Sequence, residues 1–318
     1  MTDPLARSPI ELSRRHSLPA GGTLAMRAMR DGWPVRTIFW PGRDPAKGSI
    51  LLMTGRGDFI EKYAETLHDL VAAGWGVATF DWRGQGLSGR LGDAPEKGHC
   101  TSFEPWLADL AELTGWFHAV LPGPWFGMAH SMGGHLLLRR LAAGGGGFDR
   151  VVLLSPLLGI QAPPVGPGAA RVLARIMVVR GRGGNYVAGG GPRIKAAPGS
   201  GRQLLLTSDP ERYGDEAWWA GHDPGLSMGS PTFGWLDAAF RSLAVLRAGL
   251  TRVATPVLIM IPGDDRLVDN AATRRAQVLL PGSTLVIVPG AGHELLREAS
   301  DIRAQVLAQA TAFLMDRA

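Results

Sequence analysis

Cysteine is nearly absent: Cys100 stands alone in 318 residues, which excludes an internal disulfide and fits a reducing compartment. No window holds the roughly 18 consecutive apolar residues a spanning helix requires. The opening stretch, MTDPLARSPIELSRRH, lacks the apolar centre of a signal peptide. A cytoplasmic protein is expected, with room for peripheral contact to the inner face of a membrane. Acidic residues are missing from one long stretch, where Arg171, Arg175, Arg180, Arg182, Arg193, Lys195 and Arg202 all precede Asp209. Metal-ligand spacing is also lacking, because His99 beside Cys100 has no third or fourth partner. GRG at 55–57 lacks the spacing of a phosphate loop. No cofactor, metal or nucleic-acid partner is therefore expected, although a formal charge of +5 leaves an anionic surface as a possible contact.

With 45% hydrophobic and 19% charged residues, the composition is that of a globular chain long enough for one large α/β domain or two ordinary ones. TLAMRAMR and VRTIFWPG read as two edge strands around an Asp31-Gly32 turn. Short apolar runs then alternate with helix-period segments. SILLMTG precedes FIEKYAETLHDLVAAG, GVATFDW precedes PWLADLAELTGWFHAVL, and WFGMAH precedes SMGGHLLLRRLAAG, after which VVLLSPLLG follows. The rhythm resumes with PVLIMIPG, AATRRAQVLL, TLVIVPG and ASDIRAQVLAQATAFLMD. Such alternation predicts a mostly parallel sheet with helices on both faces. Between the two blocks the pattern fails. The chain is accordingly divided into a polar leader (1–20), a first core part (21–159), an inserted cap (160–250) and a second core part (251–318).

Ala129-His130-Ser131-Met132-Gly133 sits where a strand gives way to a helix, close to the G-x-S-x-G nucleophile elbow. A serine N-cap is the plainer reading of that stretch alone. The downstream residues decide between them. An alkyl hydroxyl needs a base, and the base needs an orienting acid. PGDDRLVDN and GAGHELL each follow a strand, so an acid and His293 fall at the sheet edge from which Ser131 emerges. The order Ser, Asp, His is that of the α/β-hydrolase fold. Asp264, Asp265 and Asp269 compete as the acid. Asp265 is preferred, and Asp269 is assigned to capping the next helix. The backbone N–H groups of Arg56 and Met132 are expected to hold the oxyanion. His130, His68 and His118 read as structural, and Cys100 as a small buried hydrophobe.

GRGDFIEKYAE (55–65), FDWRGQGLSGR (80–90), AHSMGGH (129–135), SPTFGWLDAAF (230–240), PGDDRLVDN (262–270) and GAGHELL (290–296) together resemble the monoacylglycerol lipase and lysophospholipase branch of the α/β-hydrolases, in particular the bacterial lysophospholipase L2 type. That resemblance implies the fold, an ester hydrolase activity, and Ser131, Asp265 and His293 as nucleophile, acid and base. The chain departs from the pattern at Thr54, where the family commonly has histidine, and at Ala129, where it has glycine.

The resemblance and the cap suggest a single-chain acyl ester, lysophospholipid or monoacylglycerol, cleaved through an acyl-serine. Trp218, Trp219, Phe233, Trp235 and Phe240 are candidates for an acyl-chain pocket, and equally for the cap's own core. The basic stretch suits either an anionic bilayer or a lipid phosphate. A general carboxylesterase or amide hydrolase with the same three residues is the alternative enzyme. A silent scaffold that binds a lipid or other ligand is the alternative without chemistry.

Overall fold

The computed structural model describes residues 9–92, 94, 96–192 and 198–316. Arg193 and Lys195 of the basic stretch lie outside the described residues.

Eight strands form one sheet in the order β1-β2-β4-β3-β5-β6-β7-β8. β1 (Thr23–Ala28) and β2 (Pro34–Trp40) pair antiparallel, as does β2 with β4 (Gly76–Phe80). β3 (Ser49–Met53), β5 (Trp125–His130), β6 (Arg150–Leu154), β7 (Val257–Pro262) and β8 (Ser283–Val288) complete the sheet, and all remaining pairings are parallel. The Asp31-Gly32 hairpin turn is present, with Gly32 at φ +81°.

Strand period explains the two cores. In β3, Leu51 and Met53 point into one hydrophobic cluster, and Ile50 and Leu52 into another on the opposite face. Helices α3 (Glu104–Val120) and α4 (Met132–Ala142) close the first face, burying Leu110, Leu113, Leu136 and Leu137. Helices α2 (Ala64–Ala72) and α10 (Ser300–Met315) close the second through Leu67, Leu70, Val306 and Leu314.

The segment expected as one helix from Phe59 is instead a 3₁₀ turn (Ile60–Tyr63) followed by α2. Its first turn is tightened because the Ile60 N–H donates to Asp81 Oδ1 at 2.9 Å. α2 ends where expected, with Gly74 at φ +92°.

β6 and β7 lie side by side, Val151 opposite Val257, so everything between them leaves the sheet and returns next door. That stretch carries α5 (Gly166–Val179), α6 (Gly201–Leu206), α7 (Pro210–His222) and α8 (Phe233–Arg247). α9 (Asn270–Leu279) links β7 to β8. The polar leader holds a helix of its own, α1 (Pro9–Arg15), fastened to α7 by Arg15 at 2.8 and 2.6 Å from the two Asp215 oxygens.

Candidate active site

Ser131 leaves β5 with φ 50° and ψ −113°, a conformation that costs a non-glycine residue about 1–3 kcal/mol. Its backbone is held there on both sides. The Ser131 N–H donates to Leu154 O at 3.0 Å, while its carbonyl accepts from Leu157 at 2.9 Å and His135 at 3.1 Å. The small residues around it have a steric cause. A Cβ on Gly133 would stand 2.5 Å from Thr54 O and 2.9 Å from Met53 O, because the end of β3 passes directly over the turn. Ala129, by contrast, fits its methyl inside the core, fully buried, so alanine replaces the expected glycine there without displacement.

His293 follows β8, and its Nε2 is 3.0 Å from Ser131 Oγ. Its Nδ1 is 2.7 Å from Asp265 Oδ2. The other Asp265 oxygen accepts the N–H groups of Leu267 at 2.9 Å and Val268 at 3.0 Å. Burial pushes the Asp265 carboxyl up, but His293 and these two amides outweigh it and hold the group below its ordinary value. The rival acids are placed elsewhere. Asp264 is 81% exposed beside Arg266, and Asp269 caps α9 by accepting from Ala271 at 2.8 Å.

The loop bearing His293 is tied to α6. The N–H groups of His293 and Glu294 donate to Leu205 O at 3.3 Å and Leu206 O at 2.7 Å. Buried Glu298 accepts from Gly292 N–H at 2.6 Å and from Ser208. Gly292 is required for this approach, since a Cβ would lie 2.8 Å from Leu206 O.

Opposite Ser131, the loop after β3 presents Thr54 to Gly57. The Gly55 N–H is taken by Asp58 Oδ2 at 2.8 Å, and the Gly57 N–H by Gln85 Oε1. Between them the Arg56 N–H has no acceptor among the described residues, and neither has the Met132 N–H at the start of α4. Two unspent amides beside a serine hydroxyl are what a developing oxyanion requires.

Behind this loop lies a buried ionic cluster that sequence reasoning did not find. Lys62 Nζ, with its side chain 2% exposed, is 2.6 Å from Asp58, 2.7 Å from Glu294 and 3.4 Å from Glu216. Asp58 also accepts from Tyr63 Oη at 2.8 Å, and Glu294 pairs with Arg297 at 2.6 Å. Burial raises both carboxyls, but Lys62 together with the other groups around them outweighs it and holds both below their ordinary values. The cluster therefore joins the loop after β3 to the residue beside His293. Asp58 and Lys62 stand four apart, which a sequence can suggest. Glu294 is 232 residues away from Lys62, and nothing local signals it.

His130 is buried beneath the turn, its ring 4.9 Å from that of His293. Burial and His293 push it down to about 4, so it is neutral at pH 7. Cys100 is buried and pushed up to about 12, hence an inert thiol. Among the described residues, no group of three or more His, Cys, Asp and Glu side chains is arranged to hold a metal.

The candidate acyl-pocket residues separate. Trp235 is buried, with the Arg56 guanidinium 5.4 Å from its ring, and it lines a small cavity with Gln85 and Met228. Phe233 is half-buried at the start of α8 and Phe240 is buried within it. Trp218 instead stacks on His16 at 3.8 Å, and Trp219 Nε1 donates to Arg15 O at 3.1 Å. Their apolar area serves to seat the N-terminal helix on α7.

Residues 44–300 match a family model described as "Serine aminopeptidase, S33". The chain is 31% identical over 268 residues to lysophospholipase L2 of Escherichia coli K12, covering 81% of this chain and 77% of that one. Among solved structures it is similar to a soluble variant of monoglyceride lipase from Saccharomyces cerevisiae, with TM-score 0.71, 19% identity, and 93% and 96% of the two chains covered. A thermostable carboxyl esterase from Bacillus coagulans gives TM-score 0.74 at 17% identity, covering 93% and 98%. At such identities the two structures speak for the fold alone, the α/β-hydrolase architecture.

Proposed function

The chain belongs to the serine aminopeptidase S33 family of hydrolases, and we propose that it cleaves the carboxylic ester of a single-chain acyl lipid, a lysophospholipid or monoacylglycerol, through Ser131, His293 and Asp265. The observation that carries this reading is the continuous relay of 3.0 and 2.7 Å from Ser131 Oγ through His293 to Asp265, in a chain whose 31% identical relative is named a lysophospholipase.

His293 Nε2 takes the Ser131 proton as Oγ adds to the ester carbonyl. Charge on the former carbonyl oxygen is met by the Arg56 and Met132 amides. As the tetrahedral adduct collapses, His293 returns the proton to the departing glycerol oxygen and an acyl-serine remains. Water then adds with its proton passing to His293, and a second collapse releases the fatty acid and restores the hydroxyl. Asp265 fixes the ring with Nδ1–H toward itself, leaving Nε2 free to accept.

The stretch 160–250 acts as a cap over this site and as its contact with the membrane. α5 directs only Ala170 and Ala174 inward. Val165, Val172, Ile176 and Val179 are 58, 59, 41 and 71% exposed, and their spacing puts them on one stripe. Arg171, Arg175, Arg180 and Arg182 are exposed alongside. Large apolar side chains outward with arginines beside them suit the headgroup region of an anionic bilayer. No helix of the described chain is long and apolar enough to cross a membrane. These features support peripheral work at the inner face of a cytoplasmic membrane.

Fatty-acid release from 1-acyl lysophosphatidylethanolamine and from 1-monoacylglycerol of the same chain, with Ser131→Ala as the blank, tests the proposal. Turnover of at least one lipid that disappears in Ser131→Ala is expected. Failure to cleave either lipid, or equal turnover by the variant, contradicts it.

A further inference from the structure

The Arg56 amide belongs to the proposed oxyanion site, but its side chain has a separate problem. A guanidinium carries five N–H donors, and here Nη2 donates to Gly229 O at 2.8 Å. Nε is shut off from solvent without an acceptor, and Nη1 has none among the described residues. The ring of Trp235 lies 5.4 Å away. No carboxylate stands within ion-pair distance among the described residues. Asp58 is felt from further off, but it is already committed to Lys62, Tyr63 and the Gly55 N–H.

The remaining neighbours do not supply the missing anion. Cys100 is a neutral thiol. Burial, with a smaller contribution from Arg202 of α6, which is itself paired with Glu216 at 3.1 Å, brings Arg56 down to about 10, still cationic at neutral pH. Arg56 is half-buried, so its guanidinium is partly desolvated with no protein counter-charge, and an anionic ligand reaching its open side would supply one. The cavity beside it is lined by Gln85, Gly98, His99, Met228 and Trp235. Gln85 also accepts from the Gly57 N–H and approaches Met132 Sδ at 4.0 Å, so this cavity lies beside the residues that flank the proposed oxyanion site.

We propose that the Arg56 guanidinium is the subsite for the phosphate of a lysophospholipid headgroup, and that it sets preference for phospholipid over neutral glyceride. The reach is suitable. About six bonds separate the ester carbonyl carbon of a 1-acyl lysophospholipid from its phosphorus, and about six separate the Arg56 nitrogen from Cζ. An ester held at the Arg56 amide thus brings its phosphate to the tip of the same residue. The subsite rests on the lipid-esterase reading, and its test is a ratio that this reading leaves open.

The experiment compares kcat/KM for 1-acyl lysophosphatidylethanolamine and 1-monoacylglycerol of one chain length, in wild type, Arg56→Met and Arg56→Lys. Wild type prefers the phospholipid. Arg56→Met cuts the phospholipid-to-glyceride ratio by about tenfold or more, as expected for a charge-assisted hydrogen bond, and Arg56→Lys cuts it less. An unchanged ratio in both variants overturns the subsite while leaving the esterase reading standing. Silence of wild type on both lipids contradicts the esterase reading itself. Inorganic phosphate added to wild type gives a measurement independent of any variant's folding. It raises KM for the phospholipid more than for the glyceride, and equal effects on both overturn the subsite. Phosphate that inhibits wild type while Arg56→Met leaves the lipid ratio intact assigns the cation to free phosphate, and likewise overturns the headgroup role.

Discussion

Replacing Lys62 by methionine keeps an unbranched side chain one atom shorter and removes one charge from the middle of a closed ionic cluster. The structure fixes what is left behind. Asp58, 2.6 Å from Nζ, retains the Tyr63 hydroxyl and the Gly55 N–H but loses its cation. Glu294 at 2.7 Å retains Arg297. Uncompensated burial of a charge whose partner is removed costs about 3–5 kcal/mol, whereas an exposed pair would cost at most about 1 kcal/mol. With Lys62 side chain 2% exposed, the larger range applies at pH 7. In wild type Lys62 holds Asp58 below its ordinary value against burial. Without Lys62, burial prevails, and the folded-state pKa of Asp58 rises above its unfolded value near 3.9. A carboxyl raised in this way is protonated more readily in the folded state, so the variant's deficit narrows as pH falls from 7 toward 5. Adding Asp58→Asn to Lys62→Met removes the stranded charge and recovers part of the loss. Urea unfolding of wild type and both variants at pH 7 and 5.5 measures all three effects. A deficit under about 1 kcal/mol, or one that does not change with pH, refutes the reasoning.

Asp265→Asn retains the acceptor for Leu267 and Val268 but turns an N–H toward His293 Nδ1. The wrong tautomer results, and kcat falls by about 10⁴, while Asp264→Asn stays within threefold; rates in the reverse order contradict the assignment. Gly133→Ala drives a methyl against the backbone oxygens of Thr54 and Met53, which costs about 1–3 kcal/mol and displaces the loop after β3, so a variant with wild-type kcat and melting temperature counts against this packing. Glu65 joins α2 to Arg212 of α7 at 2.7 and 2.8 Å. Burial raises it, but Arg212 and Arg303 bring it down to about 2 from 4.5. Its roughly 3 kcal/mol of stability is complete above pH 4.5 and lost as pH falls toward 2. Glu65→Gln therefore flattens the acid limb of the stability curve, and parallel curves for the two proteins exclude this linkage.

The parts of the fold written in the sequence are those that local periodicity controls. The alternation of SILLM, GVATF, WFGMAH and RVVLL with helical segments gave the parallel sheet, and the Gly32 and Gly74 turns fell where glycine is needed for positive φ. Asp265 is preferred over Asp264 from the residues themselves, and the family resemblance implies the same acid; that only Asp265 faces His293 is visible in the structure alone. Contacts across long separations were illegible. Lys62 with Glu294, Arg15 with Asp215, and Leu205 with His293 each join segments that carry no mutual signal. Trp218 and Trp219 show the same limit: their size marked them as important surface, but not that α1 would cover it. Arg56 was read for its amide alone, since the absence of a counter-charge exists only once the cap has closed around the side chain.

The central claim is that Ser131 is the nucleophile activated by His293. Treating the native protein with a fluorophosphonate and mapping the adduct by peptide mass spectrometry tests it most directly. The account predicts one adduct, on Ser131, formed at a rate that collapses in His293→Ala. Absence of labelling, or an adduct on another residue such as Ser155, contradicts it.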